Sequence, residues 1–131
     1  MSHRVLQPAD WPRPSGYSNG IAASNGTLVF VAGQIGWDSN GRIARGDFAA
    51  QAKQALQNVM RVLAEGGARA EHVVRLTWYV TSAAEYRASA GPLGAVYREI
   101  MGRHYPAMTA VQVAALIEPD AVVEIEATAV V

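Results

Sequence analysis

The feature that most constrains this chain is a one-sided apolar stripe running between Asp47 and Gly67. Phe48, Ala52, Ala55, Leu56, Val59, Val62 and Leu63 recur at i, i+3, i+4 spacing, the pattern of a helix with one buried face. Asp47 stands where a side-chain cap is needed, and Gly66-Gly67 supplies the stop. A helix of this kind needs an apolar surface to lie on, and two segments offer one. In the first, Val74, Leu76, Trp78 and Val80 face one way, with Arg75, Thr77 and Tyr79 opposite. In the second, Val123, Ile125, Ala127 and Ala129 share a face, with Glu124, Glu126 and Thr128 behind them. Alternation with period two predicts strands that are covered on one side only.

The remaining punctuation fills in the order. Pro8, Pro12 and Pro14 favour an extended N-terminal segment without periodicity. Gly20–Ala23 and Thr27–Gly33 flank Ser24-Asn25-Gly26 and predict a β-hairpin, because Asn-Gly accepts positive φ. A loop follows through Asp38-Ser39-Asn40-Gly41. Ser82 and Glu85 form a capping-box pattern that opens a second helical region, broken at Gly91-Pro92 and resuming to Gly102. Two closing strands, Met108–Leu116 and Val122–Val131, are separated by the turn Glu118-Pro119-Asp120. The order ββαβαββ predicts an α+β fold, a sheet with two helices on its apolar face, with residues 1–131 forming a single domain.

Composition narrows the function classes. The absence of cysteine excludes disulfides, thiolate metal sites and cysteine nucleophiles. His3, His72 and His104 have no metal-ligand spacing. The 11 basic and 11 acidic residues are scattered and balance to zero, with no basic run, which argues against a nucleic-acid partner. Apolar runs such as Thr27–Ile35 are too short to cross a bilayer, and Met1-Ser2-His3-Arg4 lacks the apolar stretch of a leader, so a cytoplasmic location without membrane contact is expected. A chain with no net charge and 50% apolar residues also leans toward a buried oligomer interface. The uncovered sheet face, with Arg75, Thr77, Tyr79, Gln112 or its strand neighbours, Glu124, Glu126 and Thr128, reads equally as a solvated face with Arg75 paired to Glu124 or Glu126, or as a subunit interface bordering a ligand cleft.

Five segments together carry a resemblance that spans the chain from Ser15 onward. Ser15-Gly16-Tyr17-Ser18-Asn19, Leu28–Ile35, Gln51–Gly66 with Asn58, Val73–Val80, and Tyr105–Leu116 followed by Val123–Ala127 occur in the order and spacing of the reactive intermediate deaminase (Rid, YjgF-like) family. The chain is identified on these motifs as a Rid-like protein. The resemblance implies a chorismate-mutase-like subunit that forms a homotrimer, with a small-molecule metabolite bound in each cleft between subunits. It also implies hydrolysis of 2-aminoacrylate and related imines to 2-keto acids and ammonia, with no metal or organic cofactor. An imine carbon is already electrophilic, so such a site has only to hold the carboxylate and place one water.

The family's carboxylate-holding arginine follows Pro-Ala, and here that position is Met108. A thioether donates nothing to a carboxylate, and loss of a charge-assisted contact typically removes ~1.5–3 kcal/mol of binding. Other departures are Ala32 in place of serine, Asn19 in place of glutamine, and Gly91 near a position where some relatives keep asparagine. The resemblance assigns Tyr17 to ligand stacking, Gly33 to a close backbone approach and Glu124 to orienting the water. Trp37 either lines the cleft mouth or covers an apolar patch, and Trp78 is expected in the core. Arg103-His104 offers substitute positive charge, although cations are expected at a helix C-terminus in any case. Two functions follow from this mixture of retained and lost groups. One is an imine or enamine hydrolase whose substrate avoids the missing clamp. The other is a non-catalytic trimer that binds a small apolar-leaning ligand, or another protein, in the same cleft.

Overall fold

Asp47 accepts a hydrogen bond from the Ala50 amide at 3.0 Å and so starts helix α1 (Phe48–Glu65), in the computed structural model of residues 3–131. Met1 and Ser2, on which the expected lack of a leader partly rests, lie outside the described residues. Gly66 closes the helix, and Gly67, at φ +74°, turns the chain away in a conformation that favours glycine. Phe48, Ala52, Ala55, Leu56, Val59 and Leu63 are buried as the stripe requires. Val62, placed on the same stripe by spacing, is 39% exposed instead.

The surface beneath α1 is a four-stranded sheet in the order β3-β6-β4-β5, formed by Leu28–Gln34, Val123–Val130, Val73–Val80 and Ala107–Gln112. Strand β6 runs antiparallel to both neighbours, and β5 runs parallel to β4. The predicted alternation of β6 holds: Val123, Ile125, Ala127 and Ala129 are buried, while Glu124, Glu126 and Thr128 are half-exposed. In β4 a bulge at Val74 breaks the alternation, so that Val73, and not Val74, joins the core beside Leu76, Trp78 and Val80. Helix α3 (Ala90–Met101) packs against α1, adding Leu93, Tyr97 and Met101 to the same core. Full burial of side chains such as Leu56, Leu63 and Ile125 contributes roughly 1.5–3 kcal/mol each.

Three connections differ from the sequence expectations. The predicted hairpin does not form: Gly20–Ala22 (β2) pairs with Arg4–Leu6 (β1) in a separate two-stranded sheet, and β3 pairs with β6. Asn25 does take the positive φ that the turn suggested, at +58°, so the local turn is right while the pairing is not. The last two strands are not neighbours, because β4 lies between them, and β5 ends at Gln112. The second helical region is broken into two helices as expected, α2 (Ala83–Ala88) and α3, but they meet at Ser89, and Gly91-Pro92 lies in the first turn of α3. Ser82 caps α2 by accepting from the Glu85 amide, as its motif predicted. Gln112 sits at that same helix start, accepting from the Ala83 amide at 2.8 Å, so it does not lie on the uncovered face.

One polar side chain is sealed inside. Gln51 is 0% exposed; its amide nitrogen donates to the carbonyls of Ala44 and Asp120, and its oxygen accepts from the Val122 amide, at 2.9–3.0 Å. It thereby ties the loop before α1 to the turn before β6. Gly36 completes the junction, since a Cβ there would stand 2.8 Å from the Gln51 Cα. Replacing Gln51 by leucine leaves the Asp120 carbonyl and the Val122 amide without partners, while the Ala44 carbonyl keeps the Asp47 amide. The Gln51→Leu variant is expected to lose about 2–4 kcal/mol, read as a lower urea midpoint at unchanged slope.

Candidate functional site

Ser18 fixes the N-terminal segment against the strand that carries Met108. Its amide donates to the Pro106 carbonyl at 3.0 Å and its hydroxyl to the Tyr105 carbonyl at 2.5 Å, and it forms a parallel bridge to Ala107. This places Tyr17 and Met108 on the wall of one hollow of about 800 Å³, roofed by α3 and floored by Trp78 and Ala110. Tyr97 buttresses the hollow: its ring stacks on Tyr105 at 5.5 Å, and its hydroxyl donates to the His104 carbonyl at 2.5 Å. Burial, assisted by the neighbouring Tyr105, pushes the Tyr97 hydroxyl pKa well above the ordinary tyrosine value. Tyr86 meets Trp78 edge-on at 6.1 Å, and burial raises its pKa as well.

A second hollow, of about 420 Å³, gathers Gly33, Trp37 and Glu124 with Asn58 and Ile117. Between Val31 and Gln34 the β3 strand inserts an extra residue relative to β6, and this bulge brings Gly33 against the Glu124 side chain. A Cβ at Gly33 would lie 2.6 Å from Glu124 Oε1, so only glycine leaves the carboxylate where it is. Asn58, on α1, donates to the carbonyls of Ile35 and Trp37 at 3.0 and 2.8 Å and accepts from Gln54 at 2.9 Å. It thus fixes the loop that carries Trp37, which is 45% exposed. Adjoining this hollow is a smaller one of about 330 Å³ where Glu126 and Tyr79 meet. Tyr79 donates to Glu126 at 3.2 Å, and its own pKa is raised by desolvation and then by that carboxylate.

The candidate residues therefore fall into two groups. Tyr17 and Met108 share one hollow, Gly33, Trp37 and Glu124 share another, and the two have no lining residue in common. They open on opposite faces of the sheet: Trp78 of β4 floors the first, and the adjacent Tyr79 reaches the Glu124 side. Ala32 is exposed on β3 and Gly91 is exposed in the first turn of α3; neither lines a hollow. Arg103 and His104 lie apart from Met108, in a separate hollow with His3, Arg69 and His72. Among the described residues, Arg75 has no carboxylate within 4.0 Å, so Glu126 is satisfied by a tyrosine hydroxyl in place of the expected cation. The expected open sheet face carries, in addition, Phe30 at 71%, Leu28 at 58% and Val111 at 42% exposure.

Sequence reasoning gave no site role to Asn58, although its place in the helix motif was the available signal, and none to Gln51. Among the described residues no cluster of three His, Asp or Glu side chains is placed to hold a metal, and no helix is long and apolar enough to cross a membrane.

An α+β chain with its candidate residues split between two hollows and an exposed, partly apolar sheet face defines the class. The family model for endoribonuclease L-PSP matches residues 11–131. A RutC family protein of Pyrococcus abyssi is 35% identical over 131 residues, covering 98% of each chain. The human 2-iminobutanoate/2-iminopropanoate deaminase is 32% identical over 132 residues, covering 99% of this chain and 91% of that one. A Rid-family protein of unknown function from Yersinia pestis has a solved structure that superposes with a TM-score of 0.85 at 36% identity, covering 100% of both chains. The chain belongs to the endoribonuclease L-PSP family of Rid (YjgF-like) proteins.

Burial of Tyr97 has a consequence that pH exposes. The unfolded tyrosine ionises near pH 10, whereas the folded one holds its proton to higher pH. The associated stability is complete below about pH 10 and falls as pH rises above it, because the unfolded state alone loses a proton. The melting temperature of the wild type is expected to fall more steeply between about pH 10 and 12 than that of Tyr97→Phe.

Proposed function

We propose that the protein is an imine or enamine hydrolase of the deaminase type, a single-domain chain acting as a cytoplasmic homotrimer in metabolite repair. One active site is formed in each cleft between adjacent subunits. The observation that carries this reading is the separation of Tyr17 and Met108 from Gly33 and Glu124 on opposite faces of one subunit. Such halves make a complete site only when one copy supplies the first group and its neighbour the second. The exposed Phe30, Leu28 and Val111 give the sheet face an apolar area suited to burial between copies.

In this reading Glu124 holds a water and accepts its proton as the oxygen adds to the imine carbon. The resulting carbinolamine collapses, ammonia leaves with the returned proton, and a carbonyl remains: one water is consumed and one ammonia released. Gly33 gives the carboxylate room, Tyr17 stacks on the substrate, and Ala32, Gly91 and Trp37, exposed in the single chain, face the cleft once a neighbouring copy closes it. The step needs no metal or organic cofactor, because the imine carbon is electrophilic without one. Met108 supports a second reading, a non-catalytic trimer that holds a small ligand, since it removes the usual carboxylate clamp.

Imines released by an amino-acid oxidase test the two readings. The protein is expected to accelerate keto-acid formation, and Glu124→Gln to lose about 10²–10⁴-fold of that rate. No acceleration with any imine, together with metabolites that raise the melting temperature without turnover, would favour the binding protein. Met108→Arg is expected to raise activity on 2-iminopropanoate by up to about a hundredfold. Light scattering at micromolar concentration is expected to give three times the 13.9 kDa chain mass, and a monomer would remove the shared site.

A further inference from the structure

We infer that the hollow beside Met108 holds the aromatic side chain of a monocarboxylate whose carboxylate is gripped by Arg87 and Arg98, in place of any group at position 108. The inference names a substrate class for the proposed hydrolase and rests on that reading for the reaction, though not for the binding.

Three features of the hollow lead there. The first is its size and lining. About 800 Å³ lies toward the upper end of the ~300–1,000 Å³ typical of small-molecule sites, far more than a three-carbon acid fills. The roof is one face of α3, where Ala90, Leu93, Gly94, Tyr97 and Arg98 fall at i, i+3, i+4, i+7 and i+8. Ala90 and Gly94 keep that roof thin. Below, Ala110 stands across from Trp78 in the β4–β5 register, so the floor is a tryptophan next to a small residue. Tyr17, Tyr86 and Tyr97 add aromatic surface around it, which suits an aryl group through edge-to-face contact.

The second feature is charge. Arg87, at the end of α2, and Arg98, on α3, both line the hollow, and neither has a carboxylate within 4.0 Å among the described residues. By contrast, Arg45, Lys53 and Arg69 are each paired, with Asp120, Glu99 and Glu71. Arg98 is folded back along its own helix: a Cβ on Gly94 would stand 3.2 Å from its Nη1, so the absence of a side chain there lets the guanidinium lie over the hollow. No acidic side chain lines this hollow, so both guanidinium groups are free for an anionic ligand.

The third feature is an unanswered donor. Trp78 is 3% exposed and its indole N–H has no acceptor. A buried donor left this way costs about 1–3 kcal/mol. The N–H is closed to solvent, so a ligand atom or ring face reaches it only as the wall adjusts, a change that tight binding would drive. Met108 then has a positive role: its flexible, polarisable thioether packs on an aryl ring where a guanidinium would intrude.

Calorimetry with stable 2-oxo acids tests this without turnover, using the intact protein. Phenylpyruvate is expected to bind at least tenfold more tightly than pyruvate, and more weakly as salt is added. Arg87→Gln/Arg98→Gln, which alters only exposed side chains, is expected to lose at least tenfold of the phenylpyruvate affinity with unchanged circular dichroism. Gly94→Leu fills the roof and is expected to remove the preference for phenylpyruvate. Equal affinity for the two acids, or full affinity in the double variant, overturns the inference. The preference with no hydrolysis of any imine would sustain the pocket and sink the hydrolase, whereas hydrolysis without the preference would do the reverse.

Discussion

The ladders on both edges of β6 set the position of nearly everything else. Because β6 pairs with β3 on one side and β4 on the other, its alternation is fixed twice. A slip of one residue would send Glu124, Glu126 and Thr128 into the core and Ile125 and Ala127 out of it. The apolar face then has one partner, the buried stripe of α1, and the carboxylates can only stand on the open face. Gln51 locks this arrangement from the side, since its buried amide serves the loop ahead of α1 and the turn ahead of β6 at once. Two bulges adjust the result locally. One brings Val73 into the core, and the other carries Gly33 under the Glu124 carboxylate.

Helix α1 was legible from the sequence because every signal for it is local: the stripe, the Asp47 cap and the glycine stop all lie within 21 residues. The faces of β6 were legible for the same reason. The hairpin between β2 and β3 was not, because Asn25 determines a turn and not which strand will pair across it. Strand β6 offers β3 a longer and better-buried ladder than the 3-residue β2 can. The insertion of β4 between β5 and β6 is likewise a choice among sheet orders that no single segment encodes. Bulges and the exposure of Val62 depend on packing against elements far along the chain, which periodicity does not see.

For the candidate site, motif resemblance named Tyr17, Met108, Gly33 and Glu124 as one set, without indicating that Tyr17 and Met108 lie together on one face of the sheet and Gly33 and Glu124 on the other. Arg103 and His104 were attractive as substitute charge because they precede the Pro106-Ala107-Met108 motif. The chain turns between them and Met108, however, and Ser18 covers that turn through its bonds to Tyr105 and Pro106, leaving the cations in another hollow. Arg87 and Arg98 carried no sequence signal, since exposed arginines on helices are ordinary. Their interest comes from Gly94, whose missing side chain is visible in sequence but whose effect on Arg98 is visible only in three dimensions.

Where a site keeps its positive charge decides what else fits in it. An arginine at the start of β5 would occupy the hollow with its own stem and draw a carboxylate inward, leaving space for a short side chain. With methionine there and the guanidinium groups on α2 and α3, the carboxylate is drawn to the helix side, and the aromatic floor around Trp78 is left for the rest of the ligand. The substitution at 108 is then better understood as a relocation of the anchor than as the loss of one. In the proposed reading, where Glu124 and its water come from a neighbouring copy, the reacting carbon stays near the cleft while the bulk of the substrate extends away from it. A long, apolar acid satisfies both conditions, and a three-carbon acid satisfies only the first.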